Sequence, residues 1–252
     1  MTTFPAAAQY AAEAIKSLLA GTVLPDRLVL YVTLSQFGPE GLPEALKKLE
    51  RENPVFEIRD YERDIRSYRK LVPALRDFPE AVIVTVDDDV RYDPRMLEDI
   101  LTHHLLFPDY ILAHRAKRIE PEKPYKKWKK FRWYHFLFGK VNPSYRNLQT
   151  GVGGVLYPPH SLKKEMIDEE LFTRLAPTTD DIWFWGAAVA NGRKLMPVAG
   201  GRHNKPKGVG KPDNLSLKRV NFKRGEDRNL AAFKAILAAY PEIKERVDNE
   251  LQ

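Results

Sequence analysis

Residues 81–92 read AVIVTVDDDVRY, and this stretch decides the reading of the fold. Its first six residues form a continuous apolar run rich in β-branched side chains, the pattern of a strand buried on both faces in the middle of a parallel sheet. Asp87, Asp88 and Asp89 follow it directly. Three adjacent carboxylates at the end of a buried strand repel one another and resist leaving water. A divalent cation relieves both penalties, and carboxylate oxygens suit Mg²⁺ or Mn²⁺. In open α/β sheets, ligands collect at the carboxyl ends of strands. A solvated acidic turn is the plainer alternative for the same triplet.

Working outward, residues 28–34 read as a first strand, 42–51 as a helix and 56–59 as a short strand. Residues 67–78 read as a helix that Pro73 must kink or start. Asp93-Pro94 opens a helix running to about Leu106, with Asp as cap and Pro in the first turn, and 109–114 form another strand. This alternation over 28–114 predicts a βαβ-type, largely parallel sheet. Beyond it come a helix at about 161–172, an apolar helix ending at Ala190 and a terminal helix at about 227–240. No linker divides the chain, so 1–252 reads as a single globular domain.

The 252 residues are 43% hydrophobic and 30% charged, which is ordinary for a globular protein. The absence of cysteine excludes disulfides, thiolate metal sites and cysteine nucleophiles. Residues 1–21 lack a basic segment ahead of their apolar part and read as an amphipathic helix rather than a secretory leader. No window reaches the roughly 18–20 apolar residues needed to span a bilayer. A formal net charge of +7 points to an anionic partner: nucleotide, nucleic acid or anionic membrane.

A second acidic pair, Asp180-Asp181, lies in APTTDDIWFWGAAVANG. Thr178, Thr179 or one aspartate can cap the helix that follows. A cap needs only one of the two carboxylates, and one beside Trp and Phe can have the raised pKa that suits a general base. TGVGG at 150–154 permits close backbone approach but lacks the spacing of a P-loop or dinucleotide fingerprint. A tight turn explains it equally. His203, flanked by glycines and lysines, is a candidate metal or phosphate ligand, or a surface histidine. His103 and His104 read as structural. Residues 123–140 interleave aromatic and basic side chains, a pattern able to stack on bases, cover a site or lie on an anionic membrane.

These pieces occur together in an order that resembles bacterial family 2-like glycosyltransferases with a GT-A fold. The resemblance runs from about Leu28 to Tyr240 and is carried by Asp64 with SYRKLVPAL (67–75), VTVDDDVRY (84–92), Pro124-Tyr125 with Trp128, TGVGGVLYPP (150–159) and LAPTTDDIWFW (175–185). It implies an α/β fold with a Rossmann-like, mixed but mostly parallel central sheet flanked by helices. A nucleotide-sugar-binding half would span about 25–115 and an acceptor-binding half about 116–252.

The resemblance also implies roles. Asp89 would be the main ligand of Mn²⁺ or Mg²⁺, with Asp87 near the metal or ribose, Asp88 supporting and His203 a later ligand. Asp64 and Lys70 would line the nucleotide pocket. Gly153 and Gly154 would shape the floor under the donor sugar. Asp181, or Asp180 beside it, would be the base. The implied activity is metal-dependent, inverting transfer from a nucleotide-sugar donor, UDP-sugar favoured, to a saccharide or lipid-linked saccharide acceptor in surface polysaccharide or lipopolysaccharide synthesis. The implied setting is cytoplasmic, with peripheral contact at the inner membrane through 123–140. The helix-like extension at 5–20 departs from the family pattern. Two readings compete: a nucleic-acid-binding module built on 123–140, which leaves both aspartate clusters unused, and a metal-dependent phosphohydrolase or nucleotidyltransferase.

Overall fold

The computed structural model describes all residues except 138, 140, 200–206, 216–220, 223–224 and 252, and the side chain of residue 213. Its elements run in chain order α1 (Ala8–Leu19), β1 (Leu28–Val32), α2 (Glu44–Glu52), β2 (Phe56–Asp60), α3 (Val72–Asp77), β3 (Ile83–Thr85), β4 (Val90–Arg91), α4 (Met96–Leu106) and β5 (Ile111–Ala113). The second half adds β6 (Ala116–Arg118), β7 (Lys129–Lys130), α5 (Trp133–Leu137), β8 (Asn147–Gln149), β9 (Val155–Tyr157), α6 (Glu169–Leu175), α7 (Asp180–Ala190), β10 (Leu195–Pro197), β11 (Lys207–Gly208), α8 (Arg228–Ala239) and α9 (Pro241–Asn249).

The expected single, mostly parallel sheet is not what forms. Among the described residues the strands make four small sheets: β1-β2, β10-β5-β9-β3, β11-β4 and β7-β6-β8. Only the β1–β2 and β10–β5 ladders are parallel. The other five are antiparallel. Two causes overturn the expectation. First, β9 leaves the glycine-rich turn at Gly154, whose φ of +87° favours glycine, and inserts between β3 and β5 in the opposite direction. Second, β3 does not pair with β1. Thr2 bridges Tyr31 in parallel, Met1 N donates to the Val29 carbonyl, and residues of both β1 and β3, among them Val29, Tyr31, Ile83 and Val84, line a cavity of about 540 Å³.

That cavity explains why the 81–86 run is not buried on both faces. Only residues 83–85 are strand, and Val82 lines the cavity at 38% exposure. Pro73 falls in the first turn of α3, so the expected 67–78 helix is split into a 3₁₀ turn (Arg66–Lys70) and a short α-helix. The 161–172 helix is likewise a 3₁₀ turn followed by α6, whose N-terminus Asp168 caps through the amides of Glu170 and Leu171. Asp227 caps α8 through Leu230 N, and the Tyr240-Pro241 step ends it and starts α9.

The largest core cluster holds α7 in place. Trp183, Phe184 and Trp185 are buried there with Tyr68, Trp128 and Phe233. Tyr68 stacks on Phe172 at 4.0 Å and donates to the Ala176 carbonyl at 2.5 Å. A second cluster packs α1 and α2 against β1 and takes in Val86, Val90 and Met96, on either side of the acidic triplet. The N-terminus of α7 and the end of β3 are therefore each anchored by apolar packing.

Candidate active site

The Arg66–Lys70 turn buries Tyr68, Arg69 and Lys70. Lys70 reaches the point where the two acidic motifs meet. Its Nζ lies 2.9 Å from Asp87 Oδ1, 2.9 Å from Asp180 Oδ2 and 4.0 Å from Asp181 Oδ1. Ser67 Oγ donates to Asp180 Oδ1 at 2.8 Å, holding that carboxylate from the other side. Burial alone would lower the Lys70 pKa, but Asp180, Asp87 and Asp181 outweigh it and keep the ammonium charged far into the alkaline range.

Asp181 opens α7 beside Asp180 and points at the glycine-rich turn. Gly151 N–H donates to both of its carboxylate oxygens at 3.1 Å. Gln149 Nε2 donates to its backbone carbonyl at 3.1 Å. Burial pushes the Asp181 carboxyl up to about 7; Lys70 opposes this, while repulsion from Asp180 and Asp87 adds to it. Its side chain is 29% exposed, so it keeps access to the cleft. Thr179 is the N-cap of α7 but makes no side-chain capping bond, and Thr178 Oγ1 donates to Asn221 instead. The expected capping role is therefore not used, and neither aspartate is spent on it.

The rest of the triplet faces a different lysine. Lys211 Nζ lies 2.9 Å from Asp88 Oδ1 and 2.9 Å from Asp89 Oδ2. Thr3 Oγ1 donates to Asp88 Oδ2 at 2.7 Å. Burial raises the Asp88 pKa, against the pull of Lys211 and Thr3. Lys211 follows β11, which pairs with β4, and Val209 N donates to the Asp89 carbonyl at 3.1 Å. Segment 207–211 thus lies as a strap across the triplet.

The glycines have separate jobs. A Cβ on Gly151 would stand 2.6 Å from Lys70 Nζ and 3.1 Å from Asp87 Oδ1, so only glycine leaves this cluster undisturbed. A Cβ on Gly153 would stand 3.0 Å from Arg115 N and one on Gly154 3.1 Å from Met96 Sδ, each a few tenths of an ångström too close. Asp64 does not join the cluster: it is exposed, accepts from Arg66 N and stands 3.9 Å from Arg69. Arg69, fully buried, instead ties residues 1–3 to β1 through Thr2, Thr3 and Thr33. His203 lies outside the described residues.

Of the residues marked in the sequence, Lys70, Asp87, Asp180 and Asp181 converge, Asp88 and Asp89 form an adjacent group, and Asp64 stands apart. Ser67, Gly151, Lys211 and Thr3 were not singled out by sequence reasoning. The first two lie within motifs that carry the resemblance. Lys211 sits in a Gly/Lys-rich segment where nothing distinguishes it from its neighbours. Among the described residues, no three acidic or histidine side chains stand ready around one point to hold an ion.

The sequence matches no protein-family profile and no curated protein. Solved structures do resemble it. TarS 1–349 of S. aureus superposes with a TM-score of 0.53 at 16% identity, covering 95% of this chain and 70% of that one. UTP-bound UGPase from Acinetobacter baumannii gives 0.46 at 8% identity, covering 96% and 86%. The first likeness is one of fold; the second is too distant to add to it.

Proposed function

We propose that this protein transfers a glycosyl group from a nucleotide-sugar donor, with a uridine nucleotide favoured, to a hydroxyl of a saccharide or lipid-linked saccharide. The observation that carries the reading is the meeting of the two acidic motifs at Lys70, which leaves Asp181 as a carboxylate tuned toward neutrality at the mouth of the site. A group that must remove a hydroxyl proton near pH 7 needs a pKa close to that value.

Five carboxylates against the two ammonium groups they contact leave this site anionic. A diphosphate enters such a site only with added positive charge. Lys70 takes one oxygen of Asp87 and Lys211 one of Asp89, so each carboxylate keeps a second, hard oxygen that suits Mg²⁺ or Mn²⁺. The donor set fits a divalent ion in its chemistry, and Asp89 and Asp87 would hold it. Such an ion would neutralise charge gathering on the departing diphosphate.

The remaining chemistry belongs to the chain. Asp180, gripped by Ser67 and Lys70, fixes the Lys70 ammonium and through it the field at Asp181. The Gly151 N–H orients the Asp181 carboxylate. Asp181 takes the acceptor's proton, the oxygen attacks the anomeric carbon from the face opposite the diphosphate, and the carbon–oxygen bond to the diphosphate breaks with its electrons leaving on phosphate. A single in-line displacement inverts the anomeric configuration.

Calorimetry with UDP, GDP, CDP and dTDP, each with and without Mn²⁺, tests this. One nucleotide should bind, more tightly with the ion, and Asp89→Ala should lose the ion-dependent part. A folded sample that binds none of the four under either condition overturns the reading.

A further inference from the structure

Residues 123–164 contain no Asp or Glu, and the part of this run from 123 to 146 lies outside the transfer chemistry. Lys127, Lys129, Lys130 and Arg132 are all exposed. Beside them the short helix α5 presents Trp133 at 55%, Tyr134 at 46% and Leu137 at 68% exposure. Between charges and helix lies a recess of about 350 Å³, lined by Lys126, Lys129, Lys130, Arg132, Tyr134 and His135 and floored by Trp128.

We propose that this face docks the protein on an anionic lipid bilayer, with lipid phosphate headgroups in the recess and the side chains of Trp133 and Leu137 at the headgroup–acyl boundary. The composition is that of an interfacial surface: indole and phenol rings at headgroup depth, an aliphatic side chain below them and a ring of lysine and arginine. Charge complementarity selects the occupant. Two neighbouring acids are already engaged: Glu120 pairs with Lys123, and Asp227 accepts from Tyr125 N.

A single-stranded nucleic acid fits less well. Stacking needs open, parallel ring faces, yet Trp128 is 2% exposed with its ring packed on Phe233 and Tyr125, Lys117 Nζ covers the Tyr125 ring at 3.4 Å, and the two exposed rings, Trp133 and Tyr134, meet edge to face at 79° with Tyr134 also 4.4 Å from the His135 ring. The most exposed apolar side chain of the patch is a leucine, which has no face to stack.

The patch is also mechanically tied to the candidate active site. β7 carries Lys129 and Lys130 in the sheet β7-β6-β8, and β8 runs through Thr150 directly into Gly151, the amide that holds Asp181. Two strand spacings, about 10 Å, separate the cationic strand from β8. Docking would therefore fix the orientation of the cleft to the membrane, whatever reaction the cleft performs.

The test is co-sedimentation of the full chain with vesicles of phosphatidylcholine alone and of phosphatidylcholine with a quarter phosphatidylglycerol, at about 0.1 M salt. Binding should require the anionic lipid and weaken with salt. The combined variant Lys129→Gln/Lys130→Gln/Arg132→Gln should bind roughly 100-fold more weakly, at about fivefold per charge near the surface. Because Trp128, Trp183 and Trp185 are buried, quenching of tryptophan emission by brominated lipid should disappear in Trp133→Phe. Leu137→Ala should weaken binding in the same assay. All of these side chains are exposed, so unchanged circular dichroism is expected. No binding to anionic vesicles, equal binding to neutral ones, or wild-type binding by the charge variant overturns the proposal. So does displacement from vesicles by millimolar glycerol phosphate or by a single-stranded oligonucleotide, which would assign the recess to a soluble phosphate or to nucleic acid.

Discussion

Two lysines face the two acidic motifs of this molecule, and they do so in opposite ways. Lys70 comes from a buried 3₁₀ turn and gathers carboxylates from the end of β3 and the start of α7, both anchored in apolar clusters. Lys211 comes from an extended strap held by a two-residue ladder and one further backbone bond, and it gathers two carboxylates of a single loop. Three acids share the first ammonium and two share the second. Burial, with repulsion from Asp180 and Asp87 added, pushes the Asp181 carboxyl up to about 7 against the pull of the shared Lys70. Rigid, buried anchoring with a charge surplus makes a tuned proton acceptor; a strap over two carboxylates makes a cover.

Asp181→Asn should break the first group most severely. Loss of a positioned base lowers turnover by roughly 10²–10⁴-fold, measured as donor consumption with acceptor present. The same variant should be more heat-stable at pH 8. The folded-state pKa of Asp181 lies above its unfolded value of about 4, so the folded state holds this proton more tightly. Its contribution is full below about pH 4 and is lost as pH rises through about 7. Asparagine removes that loss, a gain of at most about 4 kcal/mol at pH 8 for a pKa difference of about 3 at about 1.4 kcal/mol each, read as a higher melting temperature, and almost nothing at pH 4.

Lys70→Met should come next. It strands Asp87 and Asp180 without their buried counter-charge, a loss of about 3–5 kcal/mol by denaturant unfolding, and the deficit should shrink as acid protonates the carboxylates. Lys211→Met should cost less, about 1–3 kcal/mol, since Asp89 is a third exposed and regains water. A larger loss for Lys211→Met than for Lys70→Met would invert the comparison. Gly151→Ala sharpens it further: the added methyl meets the Nζ end of the Lys70 side chain rather than backbone, so turnover should fall about tenfold, near 1.4 kcal/mol, with a smaller drop in melting temperature than Lys70→Met.

The sequence showed where the chemistry is dense but not how its parts are wired. Adjacent carboxylates such as 87–89 and 180–181 stand out because their repulsion demands an explanation. The lysine that answers 88 and 89 does not, because one lysine in a basic segment looks like another. Nor does the sequence show that Asp87 turns to Lys70 while Asp88 and Asp89 turn to Lys211, a split set by side-chain direction. The same limit governs the fold. An apolar run such as 81–86 reports that neighbours exclude water, not whether those neighbours are paired strands or the wall of a cavity. The three-residue strand β9 carries no periodic signal that it enters between β3 and β5. Local signals served unevenly: the terminal helix starts beside Asp227 where the sequence places it, and Pro73 sits in the first turn of α3, but the expected Asp93 cap does not form, since α4 begins at Met96 with Arg95 as its N-cap.

The most direct measurement is a pH titration of the aspartate carboxyl carbons by NMR on protein labelled at those positions, wild type beside Asp181→Asn. One resonance titrating near pH 7 that vanishes in the variant is the predicted result. If every aspartate finishes titrating below about pH 5, or the neutral titration survives the substitution, Asp181 is not the tuned carboxylate and the proposed base is lost.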